Sequence, residues 1–375
     1  MSDVNNIFYQ LIRVAIGTQE SSSTGLRAGL SRLPSETEWE ELFEMAVKQS
    51  LVGICFCGIH QLGADSDEGY VQIGMSEDLY FDWMGTAAQI NMKNDLVNEQ
   101  CVELQKRLAA EGFRSSILKG QAVAMLYGEE LRGFRQSGDI DVLVDCNRRG
   151  AIEYAQKSGL TIGRWDYKHL DIKVFEDTEV EMHYRPGVPL NIFRNRKLQK
   201  FWKENAGEFY TNTIQLGEGS ILAPSSRMQT FYIMHHTFHH LISGGIGMRQ
   251  MMDLYFAFVN RDPKDDEWLK EQVATFGMAT FASAAVWLFD EVFGMAMIDA
   301  PWNPNEREGR FVLNEIMVGG NFGKGDDRYK KANSHAGILG NIIRRNLHLA
   351  SHYGSEALMA PLYYVWHFCW KRLNK

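Results

Sequence analysis

The chain is short of cysteine, proline, long apolar runs and positive charge, and each shortage removes a class of protein. Its five cysteines (Cys55, Cys57, Cys101, Cys146 and Cys369) are odd in number and scattered, and no two form a C-x-x-C pair. They make neither a disulfide framework nor a zinc ribbon and read as the reduced thiols of a cytoplasmic protein. Eight prolines and no low-complexity tract argue against long disordered linkers. The nearest thing to an uncharged apolar span is LVGICFCGI, residues 51–59. That is far below the roughly 18 residues a membrane crossing needs, so no membrane association is expected. The opening MSDVNNIFYQLIRVAIG lacks a basic leader ahead of an apolar core, so no signal peptide is expected. A formal net charge of −8 argues against extended, charge-driven nucleic-acid binding, while leaving room for a local basic patch.

What remains is an ordinary globular composition, 45% apolar and 23% charged, in a chain of 375 residues. That length exceeds one compact core and predicts two or three domains. Residues 1–112 read as helical. Ile7, Leu11, Ile12 and Ala15 recur at helical spacing, and Ser35 followed by Glu38 forms a capping-box pattern. A long helix is predicted from about Leu79 to Ala110, stopped by Gly112. Residues 113–223 change to a mixed α/β pattern. Strands are expected in FRSSIL (113–118), around 137–145, in HLDIKVFE (169–176), in TEVEMHYR (178–185) and in the pair EFYTNTIQL and ILAP, with helices in QAVAMLYG and around 151–159. Residues 224–375 return to helix, interrupted by the Gly-rich GGNFGKGDDRYKKANSHAG (319–337), expected as a surface loop.

The chemistry concentrates in SGDIDVLVD, residues 137–145, where Asp139 and Asp141 stand two apart in a β-branched apolar run. A strand sends residues i and i+2 to one face, with Cα atoms roughly 7 Å apart. Like charges side by side on a strand repel, and a cation between them removes that cost. Mg²⁺, a hard ion that takes carboxylates together with substrate phosphates, suits the pair best. On this reading, replacing either aspartate relieves a clash. Upstream, Lys119-Gly120 joins a strand to a helix N-terminus, a geometry that suits an anion. Downstream, a strand over 178–185 places Glu179, Glu181, His183 and Arg185 on one face.

Strand–Gly–helix, then an h-D-h-D-h strand, then an acid on a later strand resembles the nucleotidyltransferase superfamily with the polymerase-β-like fold. LKGQAVAMLYG, R-x-x-G-D-I-D-V-L-V and V-E-M-H, together spanning about residues 117–185, are similar to an uncharacterised bacterial nucleotidyltransferase family grouped with aminoglycoside and toxin-type transferases. HHTFHH and GMRQMMD are similar to that family's helical C-terminal half. The resemblance implies an α+β protein: a polymerase-β-like α/β core (113–223) flanked by N-terminal helices (1–112) and a C-terminal helical domain (224–375). It implies Asp139, Asp141 and Glu181 as metal-binding and catalytic acids. Lys119, Gly120, Gln121, Arg132, Arg135, His183 and Arg185 are then the candidate nucleotide-binding residues. Gln121 departs from the family pattern of Ser or Gly after the glycine, and Lys119, Arg132 or Arg135 is expected to supply the missing phosphate contact.

The function so implied is Mg²⁺- or Mn²⁺-dependent transfer of a nucleoside monophosphate from a triphosphate such as ATP to an acceptor: a small molecule, a protein or an RNA end. The rival reading, kept open by Gln121, is an inactive nucleotide- or partner-binding protein that retains the fold.

Other features read as structural. His235/His239 and His236/His240 have metal-ligand spacing, but they lack an acid at the expected position and sit among apolar neighbours, as in a core or cleft-lining helix. Arg249 and Asp253, at i and i+4, read as a helix ion pair. The basic run through Arg185, Arg194, Arg196, Lys197, Lys200 and Lys203 reads as a solvated face, with a triphosphate or an RNA end as the alternative ligand. GGNFGKG lacks the length and the Ser or Thr of a Walker A loop.

Overall fold

The computed structural model describes residues 3–18, 30–64, 71, 73–295, 300–329 and 334–374. The chain opens with α1 (Asp3–Ile16), α2 (Glu36–Gln49) and α3 (Val52–Ile59), followed by the long α4 (Glu77–Ala110). The mixed region then runs β1 (Ser115–Ile117), α5 (Gln121–Ala124), α6 (Glu129–Arg132), β2 (Ile140–Val144), α7 (Arg148–Lys157), β3 (Thr161–Trp165), β4 (His169–Lys173), β5 (Val180–His183), α8 (Ile192–Glu204), β6 (Asn212–Leu216) and β7 (Gly219–Ala223). The remainder is helical: α9 (Ser226–Ser243), α10 (Met248–Val259), α11 (Asp266–Thr275), α12 (Ala279–Phe293), α13 (Glu306–Gly319), α14 (His335–Ala357) and α15 (Ala360–Leu373). The expected α+β class is what the molecule adopts, and no helix among the described residues is long and apolar enough to cross a membrane.

Local chemistry explains the helix ends. Ser35 and Glu38 form the expected capping box: the Ser35 N–H donates to Glu38 Oε2 at 2.8 Å and the Glu38 N–H to Ser35 Oγ at 3.4 Å. QAVAMLYG breaks into α5 and a single 3₁₀ turn, ended at Gly128 with φ 79°. The strand β3 has no counterpart in the sequence reading. It is a mostly exposed edge strand with a register shift against β4, so it lacks the alternation that marks a half-buried strand.

Five strands form a sheet in the order β1-β2-β5-β4-β3, with β2 and β5 parallel and the other pairs antiparallel. Ile140, Val142, Val144, Val180, Met182, Leu170 and Ile172 pack from this sheet into one apolar cluster. A second and larger cluster joins α1–α3 to the C-terminal helices. The 34-residue helix α4, roughly 50 Å long at 1.5 Å per residue, belongs to both. Leu79, Trp83 and Ile90 enter the helical cluster, and Val97, Cys101, Leu104 and Leu108 enter the sheet cluster. The chain start is pinned to its far half because Arg13 donates to the Glu291 and Val292 carbonyls at the end of α12, at 2.5 and 3.2 Å.

The Gly-rich stretch after α13 reaches the surface at Lys324, Gly325 and Asp327, but its first residues are packed against the helices. Asn321 Nδ2 donates to Ser50 Oγ at 2.7 Å, and Asn321 Oδ1 accepts from Gln250 Nε2 at 2.7 Å. Gly323 lies so close to the Gly244 carbonyl that a Cβ would come within 2.1 Å of it. Glycine here permits close backbone approach rather than freedom at the surface. Residues 330–333 of the same stretch lie outside the described residues.

A buried charge cluster fastens α10 to the loop ahead of β2. Asp253 accepts from Arg135 Nε and Nη2 at 2.7 and 2.8 Å and from the Tyr127 hydroxyl at 2.6 Å. Asp253 therefore pairs bidentately with Arg135 across the fold and not with Arg249 along its own helix; the Arg249 guanidinium donates to the Gln136 carbonyl at 2.6 Å instead. Removing one partner of a buried pair strands the other charge. Asp253→Ala is therefore expected to lower the unfolding free energy by about 3–5 kcal/mol. The double variant Arg135→Met with Asp253→Leu should recover a substantial part of that loss, both read from urea denaturation midpoints.

Candidate active site

Register decides which side chains meet. Parallel pairing sets Asp141 of β2 opposite Glu181 of β5, and antiparallel pairing sets Asp171 of β4 opposite Glu181 and His169 opposite His183. With side chains alternating along each strand, one sheet face carries Asp141, Glu181, His183, His169 and Asp171. Asp139, just before β2, joins them. The opposite face holds the apolar set described above.

The acids are balanced from within the chain. Asp141 is buried, with Oδ2 2.7 Å from Lys119 Nζ and Oδ1 3.0 Å from His183 Nε2. Lys119 Nζ also lies 3.5 Å from Asp139 Oδ2, and His183 Nε2 lies 3.2 Å from Glu181 Oε2. Burial alone would neutralise these groups, but their mutual attraction wins. Burial works against the Lys119 ammonium, yet Asp139, Asp141 and Glu181 hold its pKa above the ordinary lysine value. Burial raises Asp141 while Lys119 pulls it down, and the balance lies below the usual carboxylate range. Glu181 is likewise held low, by its hydrogen bond from His183 and the field of His169, against burial. His183 is held up by Asp141 and Glu181 despite burial, and His169 is pushed down to about 4 chiefly by burial. The expectation that removing either aspartate relieves a clash does not extend to Asp141. Its removal would strand Lys119 and His183, which already answer its charge.

A narrow pocket adjoins this cluster, between the sheet and helices α9 and α10. Lys119, Gly120, Asp139, Arg135, Arg249 and Phe322 contribute to its wall. Gly120 has φ 61° and ψ −113°, open to glycine and strained for other residues. Arg135 Nη1 and Arg249 Nε are buried and make no hydrogen bond. Arg249 is anchored by donating from Nη1 to the Gln136 carbonyl at 2.6 Å. The segment that carries Arg135 to Asp139 is itself held by Asn94 in the middle of α4. Asn94 Nδ2 donates to the carbonyls of Gly133 and Arg135 at 2.6 and 2.8 Å, and Asn94 Oδ1 accepts from Ser137 Oγ. A pocket lined by three cationic side chains, two of them with free N–H groups, suits an anion with several oxygens.

Of the residues singled out from sequence, Asp139, Asp141, Glu181, His183, Lys119, Gly120 and Arg135 come together here. Three do not. Gln121 is buried and donates to Asn98 Oδ1 and the Asn94 carbonyl, so it braces α4 instead of facing the pocket. Arg132 is partly exposed beside Glu129, at 3.8 Å, and lines a separate crevice with Asn98 and Glu103. Arg185 stacks over the Tyr167 ring at 4.1 Å and donates to the Tyr167 carbonyl at 2.6 Å, and it does not line the pocket. Arg194 of the basic run pairs with Glu356 at 3.0 Å. The four histidines of HHTFHH divide between two sides of α9: His236 lines the pocket, with the His240 ring packed against His236 and Phe322, while His235 and His239 line an apolar crevice with Leu190 and Phe238. Burial holds His235 neutral, with its pKa down to about 4. Among the described residues none of the four joins a metal-capable group.

The sequence reading missed His169, Arg249 and Phe322. His169 carried a detectable signal, since H-x-D in 169–171 and E-x-H in 181–183 each place two donors on one strand face. Arg249 and Phe322 carried none, because only the packing of α10 and of the loop after α13 brings them to Lys119.

Asp139, Asp141 and Glu181 bring ligand oxygens to within 4.8 Å of one another. A close set of hard, negatively charged oxygen donors fits a divalent cation. The chain belongs to the family described as uncharacterised nucleotidyltransferase, which matches residues 35–294 and so includes every acid of this cluster. No curated protein and no solved structure matches the chain.

The backbone at Gly120 is directly testable. A Cβ there would lie 3.7 Å from the Asp139 carbonyl, an ordinary contact, so the cost of Gly120→Ala is conformational. Destabilisation of about 1–3 kcal/mol is expected from forcing a non-glycine residue into that φ/ψ region. It should appear as a shift in denaturation midpoint with no change in slope.

Proposed function

We propose that this chain moves a nucleoside monophosphate from a nucleoside triphosphate to an acceptor hydroxyl, with Mg²⁺ or Mn²⁺ held by Asp139, Asp141 and Glu181. The observation that supports the reading best is the adjacency of an acid cluster and arginine N–H groups that make no hydrogen bond. Asp139, Asp141 and Glu181 gather near Lys119, and Lys119 and Asp139 also line the pocket to which Arg135 and Arg249 contribute. Membership of the nucleotidyltransferase family points to transferase chemistry at a general level, and the charge layout is what such chemistry needs.

In the proposed reaction an acceptor oxygen attacks the α-phosphorus. The new O–P bond forms as the bond to the bridging oxygen of the β-phosphate breaks, and pyrophosphate leaves. A divalent ion held by the three acids would supply charge neutralisation at the phosphate oxygens and at the leaving group. Arg135 and Arg249 bind the non-bridging oxygens through their free N–H groups. Gly120 lets the backbone approach the phosphates without a Cβ in the way. Lys119 bonds to phosphate oxygen once the acids have a stronger cation to answer. Glu181, less enclosed than Asp141, is placed to accept the acceptor's proton. The acceptor stays open among a small molecule, a protein side chain and an RNA end.

A second reading, a protein that binds nucleotide without transferring it, draws on two observations. The residue after Gly120 turns its side chain away from the pocket, and Lys119 can neutralise Asp139 and Asp141 without metal. Nucleotide binding that tightens with Mg²⁺ or Mn²⁺ supports transfer, and binding indifferent to metal supports the second reading.

Incubation with each α-labelled triphosphate and cell extract should move label onto an acceptor only when divalent metal is present. Asp139→Asn, at the partly exposed acid, is expected to lower that transfer roughly a hundred-fold or more with the thermal midpoint preserved; normal transfer by this variant would end the proposal. Arg249→Ala should weaken triphosphate binding about 10- to 100-fold, the equivalent of one or two charge-assisted hydrogen bonds, with little effect on metal binding measured without nucleotide.

A further inference from the structure

Next to the three-carboxylate set lies a second group of different chemistry. His169, Glu181 and His183 bring one ligand atom each to within 4.8 Å of one another. Glu181 Oε2 is 3.2 Å from His183 Nε2 and 3.4 Å from His169 Nδ1. Donors about 2.0–2.1 Å from a tetrahedral ion stand roughly 3.3 Å apart, so these separations match the edges of a coordination polyhedron.

The far side of each ring points the same way. His169 Nε2 lies 3.4 Å from Asp171 Oδ1, and His183 Nδ1 lies 3.4 Å from the Arg185 carbonyl oxygen. Metal-ligating histidines characteristically give their outer N–H to a carboxylate or a backbone carbonyl, which leaves a lone pair on the inner nitrogen. A neutral imidazole has one N–H, whereas His169 meets a carboxylate at each ring nitrogen; His183, whose Nε2 bonds to Asp141 and Glu181 in the absence of an ion, would release that proton on binding one. His169 Nδ1 is buried and makes no hydrogen bond, although a carboxylate oxygen lies close by. Two lone pairs facing one another across 3.4 Å repel, and a cation between them turns that repulsion into coordination.

We propose that His169, Glu181 and His183 form a second cation site, sharing Glu181 with the carboxylate set and selecting a first-row transition-metal ion over Mg²⁺. Imidazole nitrogen suits Zn²⁺, Fe²⁺, Ni²⁺ and Cu²⁺, whereas Mg²⁺ prefers oxygen; Mn²⁺, the weakest-bound of the transition series, serves as the paramagnetic probe. Asp171 is a positioning residue that orients the His169 ring from behind. The inference rests on the reading of the neighbouring acids as metal ligands, and its test separates the two.

Mn²⁺ binding to the full chain, without nucleotide, is counted by equilibrium dialysis and examined by pulsed electron paramagnetic resonance for nitrogen coupling. The wild type should hold two ions, one with ¹⁴N modulation from imidazole. His169→Ala should remove the nitrogen-coupled ion and keep the other, and Asp139→Asn should do the reverse. Asp171→Asn should weaken the nitrogen-coupled ion about 10- to 100-fold. A single bound ion without ¹⁴N modulation in the wild type overturns this inference and leaves the carboxylate site standing. No bound Mn²⁺ at millimolar concentration overturns both. The wild-type spectrum decides the matter even if a variant fails to fold.

Discussion

The structure turns on a concentration of negative charge that the chain has to answer. Asp139, Asp141 and Glu181 sit on two adjacent parallel strands with ligand oxygens within 4.8 Å of one another. Three carboxylates so close in a partly buried site repel strongly. Lys119 answers from the end of β1 and His183 from β5 itself. These partners supply positive charge and hydrogen bonds, while Asp139 stays partly exposed. The result is a site that is stable as built yet disposed to take a further cation or to exchange one positive partner for another.

Holding that site in place falls to two devices outside it. One is α4, whose middle turn offers Asn94 to the segment carrying Arg135, Ser137 and Asp139. An amide in a long helix makes a rigid bracket, because its backbone cannot shift without disturbing the two apolar clusters that α4 joins. The other is the buried Arg135–Asp253 pair, which ties the same segment to α10 and so sets the pocket width between sheet and helices. Ionic pairs of this kind add little net stability but fix relative position, and at this place position is what matters. Phe322 adds a wall from a loop whose glycines allow it to pack tightly against α9 and α10.

Legibility from sequence followed the range of the interaction. The α2 capping box, the span of α4 and the Asp-x-Asp strand depend on neighbours within a few residues, and they were readable. So was the shared face of Glu181 and His183, a consequence of strand alternation alone. The roles of Gln121, Arg132 and Arg185 were not readable. Each lies near the acids in sequence, but each has another partner: Gln121 has Asn98 of α4, Arg132 has Glu129 of its own helix, and Arg185 has the Tyr167 ring and carbonyl. Side chains near a site in sequence compete among local and distant partners, and only packing decides which partner wins.

By itself the sequence determined the elements, the acid pair with its need for a compensating cation, and the family resemblance carried by residues 117–185. Those depend on backbone periodicity and residue type, which act locally. Tertiary structure alone decided that Glu181 stands in register with Asp141, that Arg249 and Phe322 reach a pocket more than a hundred residues from their place in the chain, and that Asp253 spends its charge on Arg135. Strand order and helix docking follow from where apolar area can be buried together, a global condition that no single stretch of the chain contains.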